Sequence, residues 1–296
     1  MMATTSGVVA AGSGRRFSSP LARALARREG LSLSGLLGSG PLGRIVKADV
    51  LGALAGGSVS PSTQGSAFAG PAFDEIPNSI GRRLIARRMT ESKQQAPHFY
   101  LRIDCNMDPV MQLRSQRRQA DGLRLSVNDF VIKAAAMALR DVPAVNASYS
   151  DAAIRRYRQV HIGLAVAVQD GLVTPVITDA DQQSLAQIAA TVAQLVSRAR
   201  AGRLEAGAAR GATFSISNLG AYGVREFAAV INPPQGAILA VGAGEPRAVV
   251  KDGQLGIATM MTVTLSADHR VIDGAAAAQW LASFRQHLEN PQSMGG

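Results

Sequence analysis

The sequence predicts an α+β protein, a mixed sheet with helices, preceded by a small all-α module. Three observations carry this. Strand-like and helix-like segments do not alternate regularly, as they would in a doubly wound fold. Short amphipathic helices occupy the first 54 residues, whereas strands dominate the final third of the chain. Between the two parts, residues 55–75 are rich in Gly, Ser, Pro and Ala, lack any period, and read as a flexible tether. A chain of 296 residues, 47% of them apolar, can bury one sizeable core and still leave room for a smaller module. The expected organisation is a disordered segment over 1–16, a helical domain over 17–54, the tether over 55–75 and a large domain over 76–296.

In the small domain Ser19 can cap a helix, Pro20 fits its first turn, and Leu21 and Leu25 lie one turn apart, so a helix runs to Arg28. Gly38-Ser39-Gly40-Pro41-Leu42-Gly43 then turns the chain before a second short helix near Lys47. These glycines match the dinucleotide fingerprint G-x-G-x-x-G, but a helix and not a strand precedes them, so they are read as turn residues.

The large domain opens with a helix through Ile80, Leu84, Ile85 and Met89, stopped by Pro97, and a strand from His98 to Cys105. Asp108-Pro109 and Ser126 begin two further helices, the second with Phe130, Ala134 and Met137 on one side. Val160, Ile162, Leu164, Val166 and Val168 alternate as one strand, and Leu172 to Thr178 is β-rich. Ser184 caps a long helix through Leu185, Ile188, Val192, Leu195 and Ala199. Strands over 212–217, 236–242 and 257–266 follow, then a closing helix presenting Trp280, Leu281, Phe284 and Leu288.

Several function classes drop out. No run reaches the roughly 18 uninterrupted apolar residues of a membrane helix, so no membrane association is expected. Cys105 is the one cysteine, so no internal disulfide forms, and its alternation with Phe99, Leu101 and Ile103 marks a core thiol. No cysteine cluster, H-x-x-x-H or H-E-x-x-H occurs, so no metal is expected. The net charge of +10 suits an acidic protein partner or a polyphosphate cofactor. Nucleic acid is not expected, because aromatic residues make up 4% of the chain and the arginine pairs lie in helical segments without interleaved rings. No acidic residue precedes Glu29, and Arg15 and Arg16 give the N-terminus the composition of a mitochondrial transit peptide. It lacks the amphipathic period of one. The favoured reading is a bacterial, cytoplasmic protein, with the mitochondrial matrix as the alternative.

Of four histidines, His98, His161 and His287 read as structural. His269 follows a strand at once, is flanked by Asp268 and Arg270, and precedes Asp273-Gly274 at a helix start. A histidine at a strand exit, among groups able to fix its tautomer, suits a general base. Equally, Asp273 reads as a plain helix cap and His269 as a turn residue. Ser217 ends a strand before Asn218-Leu219-Gly220 and is placed to offer a hydroxyl to a developing oxyanion.

Asp268-His269-Arg270-Val271-Ile272-Asp273-Gly274 resembles the D-H-R-x-x-D-G signature of dihydrolipoamide acyltransferases, and Phe214 to Gly220 resembles their F-x-x-S-N-L-G segment. Ile231-Asn232-Pro233-Pro234-Gln235, Gly171 to Val176, Ala237 to Gly242 and Asn290-Pro291 extend the similarity from about Ile76 to the end. Residues 17–54 resemble the peripheral subunit-binding domain of the same proteins, through Ser19 to Arg23 and Gly38 to Val50.

The resemblance implies a chloramphenicol-acetyltransferase-like fold, a homotrimer with each active site built between subunits, and assembly into a larger core. It implies coenzyme A as substrate, His269 as the base for a thiol, Ser217 of the facing subunit as oxyanion donor, and Asp273 as a support for the catalytic loop. Arg23, Arg27 and Arg44 match basic residues that bind an acidic patch on dihydrolipoamide dehydrogenase or the 2-oxo acid decarboxylase. Segments His98 to Leu101 and Leu125 to Lys133 look closest to the pyruvate dehydrogenase type, which favours acetyl transfer. None of Lys47, Lys93, Lys133 and Lys251 lies in the Asp-Lys-Ala turn of a lipoyl domain. The lipoyl group is therefore expected from another chain's lipoyl domain or from a missing N-terminal domain. A catalytically silent scaffold and a free-standing acetyltransferase acting on a small acceptor are the alternatives.

Overall fold

A computed structural model describes residues 17–56, 72–168, 171–205 and 207–295. The expected segment 1–16 and most of the 55–75 tether lie outside the described residues. The chain divides into two compact units, Met1–Glu75 and Ile76–Gly296.

In the first unit, α1 (Pro20–Arg28) starts where Ser19 Oγ accepts the N–H of Ala22 at 3.1 Å, a cap worth about 1 kcal/mol. Its buried face, Ala22 and Ala26, meets Ile45 and Val50, with Leu25, Leu31, Leu33 and Leu36 packed around them. The N–H of Ser19 donates to Ile45 O at 2.8 Å and that of Ile45 to Phe17 O at 2.9 Å, tying the segment that enters α1 to the one that enters α2. Helix α2 (Lys47–Leu54) begins on Asp49, a buried carboxylate in its first turn. Asp49 accepts the N–H of Val46 at 2.8 Å, the N–H of Ser39 at 3.1 Å and the Ser39 hydroxyl at 2.6 Å. Burial pushes this carboxyl up, but the Ser39 hydroxyl and the two N–H donors outweigh it and hold its pKa below the ordinary carboxylate value.

The second unit is a six-stranded mixed sheet with helices. In chain order it runs α3 (Ile80–Gln95), β1 (His98–Asn106), α4 (Asp108–Asp121), α5 (Val127–Asp141), β2 (Ala147–Ser150), β3 (Ala153–Arg156), β4 (Ile162–Leu164), β5 (Val166–Val168), β6 (Gly171–Val173), β7 (Val176–Ile177), α6 (Leu185–Arg200), β8 (Phe214–Asn218), β9 (Ala237–Lys251), β10 (Gln254–Asp268) and α7 (Gly274–Glu289). The sheet order is β1-β10-β9-β8-β4-β7, with β8 parallel to both β4 and β9 and the remaining pairs antiparallel.

Alternation along the strands sorts the two faces of the sheet. Phe214 and Ile216 are buried on one face, where Phe214 lies 5.1 Å from Trp280 of α7 and Trp280 stacks on Phe284. Burying each such ring contributes about 2–3 kcal/mol. The other face is polar. Across the ladders Ser217 aligns with Ala240 and Thr264, and Ser215 with Ile238 and Ser266. The segment after β8 reaches this face, with the Ser266 hydroxyl donating to Ala229 O at 2.7 Å.

Sequence reading and structure differ at the strands. The single strand expected over 160–168 is two, because the N–H of Ala165 donates to Ile216 O and the chain then leaves the sheet to pair β5 with β6. β9 runs far beyond the expected end at 242, to Lys251, and β10 starts slightly before the expected 257, at Gln254, so that the two form a long hairpin. Pro246 sits opposite Thr259, whose N–H and C=O turn away to Asp108 Oδ1 and the Met107 N–H, so this pair exchanges no ladder bond and the missing N–H costs none. The β2–β3 hairpin was not expected at all. Cys105 is a core thiol, as expected, and burial pushes its pKa up to about 12.

Candidate active site

His269 emerges at the end of β10. Its N–H donates to Pro97 O at 3.1 Å, and its ring lies 4.7 Å from that of Phe99. The side chain is exposed and, among the described residues, its ring nitrogens have no hydrogen-bond partner. The turn around it is pinned. Asp268, buried, takes the N–H of Arg270 at 3.0 Å and its Nη2 at 2.7 Å, while the guanidinium lies 4.1 Å from the centre of the Tyr149 ring. The hydrogen-bonded Asp268 raises the Arg270 pKa further above its ordinary value. A fixed turn carrying a free imidazole leaves both ring nitrogens available for proton transfer.

The other histidines are engaged. His98 Nδ1 faces Ala96 O at 2.8 Å and Nε2 accepts the N–H of Ile231 at 3.1 Å, so both ring nitrogens are engaged. His161 Nδ1 accepts the N–H of Asp179 at 3.0 Å, and His287 Nε2 meets Asp141 at 2.7 Å.

Asp273 is the N-cap of α7, accepting the N–H of Ala276 at 2.7 Å, and among the described residues its carboxylate pairs with no other side chain. Ser217 is half-buried at the end of β8, on the wall of a cavity of about 540 Å³. Met107, Met111, Leu164, Leu172, Val196 and Met261 make most of that wall apolar. Beside Ser217, the N–H of Gly220 donates to Asn218 Oδ1 at 2.7 Å. Asn218 Nδ2 is thereby directed to Asn128 Oδ1, at 2.6 Å. The Nδ2 of Asn128, at the start of α5, is left without a protein partner among the described residues, on a residue that lines the cavity. Sequence reasoning missed Asn128, because only the fold brings residues ninety positions apart into one hydrogen bond.

One chain does not bring Ser217 and His269 together. Ser217 aligns with Thr264, and His269 stands five residues beyond Thr264, roughly 16 Å along the strand and about 10 Å across two ladder spacings. The Phe99 on which His269 packs also belongs to the opposite face, paired with Ala267.

Residues 70–295 match the family described as "2-oxoacid dehydrogenases acyltransferase (catalytic domain)". The chain belongs to this acyltransferase family. Residues 16–51 match a second family, "e3 binding domain". The acyltransferase is 45% identical over 282 residues to the dihydrolipoyllysine-residue acetyltransferase component of the pyruvate dehydrogenase complex of Rickettsia bellii, covering 94% of this chain and 67% of that one. It is 44% identical over 306 residues to the corresponding component of Rhizobium meliloti, covering 95% and 68%. Among solved structures it superposes on the cubic core of the pyruvate dehydrogenase multienzyme complex with a TM-score of 0.73 at 33% identity, over 77% of this chain and 96% of that one. It superposes on dihydrolipoamide acetyltransferase of Azotobacter vinelandii with a TM-score of 0.72, also at 33% identity, over 75% and 94%. In that acetyltransferase a serine, a histidine and an asparagine are named for a role in the catalytic mechanism. Ser217, His269 and Asp273 stand here in the same order and at identical spacings, with aspartate in place of the asparagine.

Proposed function

We propose that this acyltransferase moves an acetyl group between dihydrolipoamide and coenzyme A in the core of a pyruvate dehydrogenase complex, and that residues 17–54 hold dihydrolipoamide dehydrogenase. Residues 76–296 are the catalytic domain. The observation that carries the reading is the pairing of a free imidazole on a pinned turn with a serine on a cavity wall, in residue order and spacing matching an acetyltransferase.

Thiols are mostly protonated near neutral pH and are then poor nucleophiles. His269 takes the thiol proton as the sulfur attacks the thioester carbonyl. The carbonyl oxygen becomes an oxyanion, and a Ser217 hydroxyl donates a hydrogen bond to it, an effect worth roughly 2–4 kcal/mol. Collapse of the tetrahedral adduct re-forms the carbonyl, expels the second thiolate, and returns the proton to it from the imidazolium. Because one chain keeps these two groups apart, the Ser217 that serves a given His269 comes from the partner subunit of a trimer. Asp273 holds the start of α7, and with it the far side of the 269–273 turn. The apolar cavity beside Ser217 takes the amide-bearing arm of a substrate, with Asn128 Nδ2 as a donor to an amide carbonyl.

The lipoyl group arrives on a lipoyl domain, since none of the four lysines lies in an Asp-Lys-Ala turn. Relatives from Rickettsia and Rhizobium support a bacterial cytoplasmic setting, and an Arabidopsis mitochondrial relative fits the matrix alternative. No helix among the described residues is long and apolar enough to cross a membrane. The test is to supply acetyl-, succinyl- and isobutyryl-CoA with dihydrolipoamide: acetyl transfer fastest supports the reading, and no transfer from any donor refutes it.

A further inference from the structure

The loop joining α1 to α2 carries a residue that the fold does not use. Leu42 is fully exposed, at 101% of its reference area, and its backbone lies at φ +58° and ψ +30°. That left-handed region is one where glycine or asparagine sits comfortably and a branched side chain does not. Leu42 therefore adds nothing to the small core of Ala22, Ala26, Ile45 and Val50, and holds its backbone at a cost.

The loop is also rigid. The N–H of Gly40 donates to Arg44 O at 2.9 Å and that of Gly43 to Gly40 O at 3.0 Å. A Cβ on Gly38 would fall 2.4 Å from the Arg44 carbonyl carbon, and one on Gly40 2.8 Å from the Arg44 oxygen, so glycine is required where the two arms of the loop touch. A leucine at the tip of such a loop loses little freedom when it is buried by a partner. Charge and more apolar surface belong to the same segment and to the strand-like stretch bonded to it. Arg44 is exposed two residues on from Leu42, the next residue, Ile45, donates its N–H to the carbonyl of Phe17, which is 70% exposed, and Arg23 Nη2 donates to Ser18 O at 2.9 Å, beside that pairing.

We propose that Leu42 is the apolar anchor by which the small unit docks on dihydrolipoamide dehydrogenase, entering an apolar depression rimmed by acidic side chains. The inference rests on the subunit-binding reading above, and the partner follows from the e3 binding domain match, which spans Leu42. The two parts of the surface then divide the labour. Arg23, Arg27 and Arg44 speed association and set its salt dependence, and Leu42 sets how long the complex lasts.

The experiment measures association and dissociation rates of dihydrolipoamide dehydrogenase on the full chain, with the thermal midpoint of the small unit followed alongside. Leu42→Gly relieves the backbone and removes the anchor. Dissociation should quicken about tenfold while the association rate and salt slope hold and the thermal midpoint stays level or rises. Leu42→Met should recover most of the lifetime. A triple Arg23→Glu, Arg27→Glu, Arg44→Glu variant should instead slow association and flatten the salt slope. Unchanged dissociation in Leu42→Gly, with the triple variant impaired, overturns the anchor and leaves the subunit-binding reading standing. If neither variant alters binding, or the unaltered chain does not bind, both fall.

Discussion

The two units solve the problem of holding a functional surface in opposite ways. In the larger unit, a sheet packed on α5 and α7 fixes its strand ends, and the side chains proposed to react sit there with few bonds of their own: His269 has a ring contact and, among the described residues, no partner for its ring nitrogens, and Ser217 lies on a cavity wall. In the small unit the four buried apolar residues among those described are too little core for the job, and a carboxylate takes over. Asp49 ties the glycine-rich loop to α2 through two hydrogen bonds from Ser39 and closes the first turn of α2 with a third from the Val46 N–H. A large core lets functional groups remain unpaired. A minimal one makes a polar residue structural.

That contrast predicts separable damage. His269→Ala should lower acyl transfer by roughly three to four orders of magnitude, as loss of a general base does, with assembly and dehydrogenase binding intact. Near-normal turnover would contradict its role. Ser217→Ala should cost about two to three orders of magnitude in kcat with KM for coenzyme A unchanged, because its bond forms in the transition state. A change confined to KM would make it an ordinary binding group.

Asp49→Ala removes hydrogen bonds to a charged group, on the order of 2 kcal/mol or more, from a module near the lower size limit for folding. Circular dichroism and binding should show the small unit unfolded and unable to hold its partner, while acyl transfer to free dihydrolipoamide is unaffected. If transfer falls too, the units are not separable. The pH dependence has a definite sign. The pKa of Asp49 is depressed in the fold, so its contribution is complete above the ordinary value of 3.8 and lost as the pH falls through the folded pKa below it. Asn128→Asp is the mildest change, since aspartate still accepts from Asn218 but swaps the free donor for a carboxylate. KM should rise about tenfold with kcat nearly kept. An unchanged KM would remove Asn128 from the substrate site.

Much of this was legible in the sequence wherever a local rule acts. Ser19, Ser126 and Ser184 cap the helices they announce, because a cap needs only its own first turn. The turn carrying His269 and the face carrying Ser217 could be read from the residues around them. The outer half of β9, beyond 242, could not, since its residues follow no buried stripe, and neither could the short hairpin Ala147–Arg156. Asn128 with Asn218, and Tyr149 over Arg270, are meetings of distant segments that only the fold arranges. The separation of Ser217 from His269 is likewise a matter of register across two ladders.

That separation is also where the account is most exposed. Chains bearing His269→Ala and chains bearing Ser217→Ala can be co-expressed in equal amounts and the mixed assemblies assayed. If each site joins His269 of one subunit to Ser217 of the next, every mixed trimer contains one intact site, and random mixing should restore roughly a quarter of normal activity. If both groups served one site within a chain, every site would carry a lesion, and the mixture would do no better than the average of its two parents.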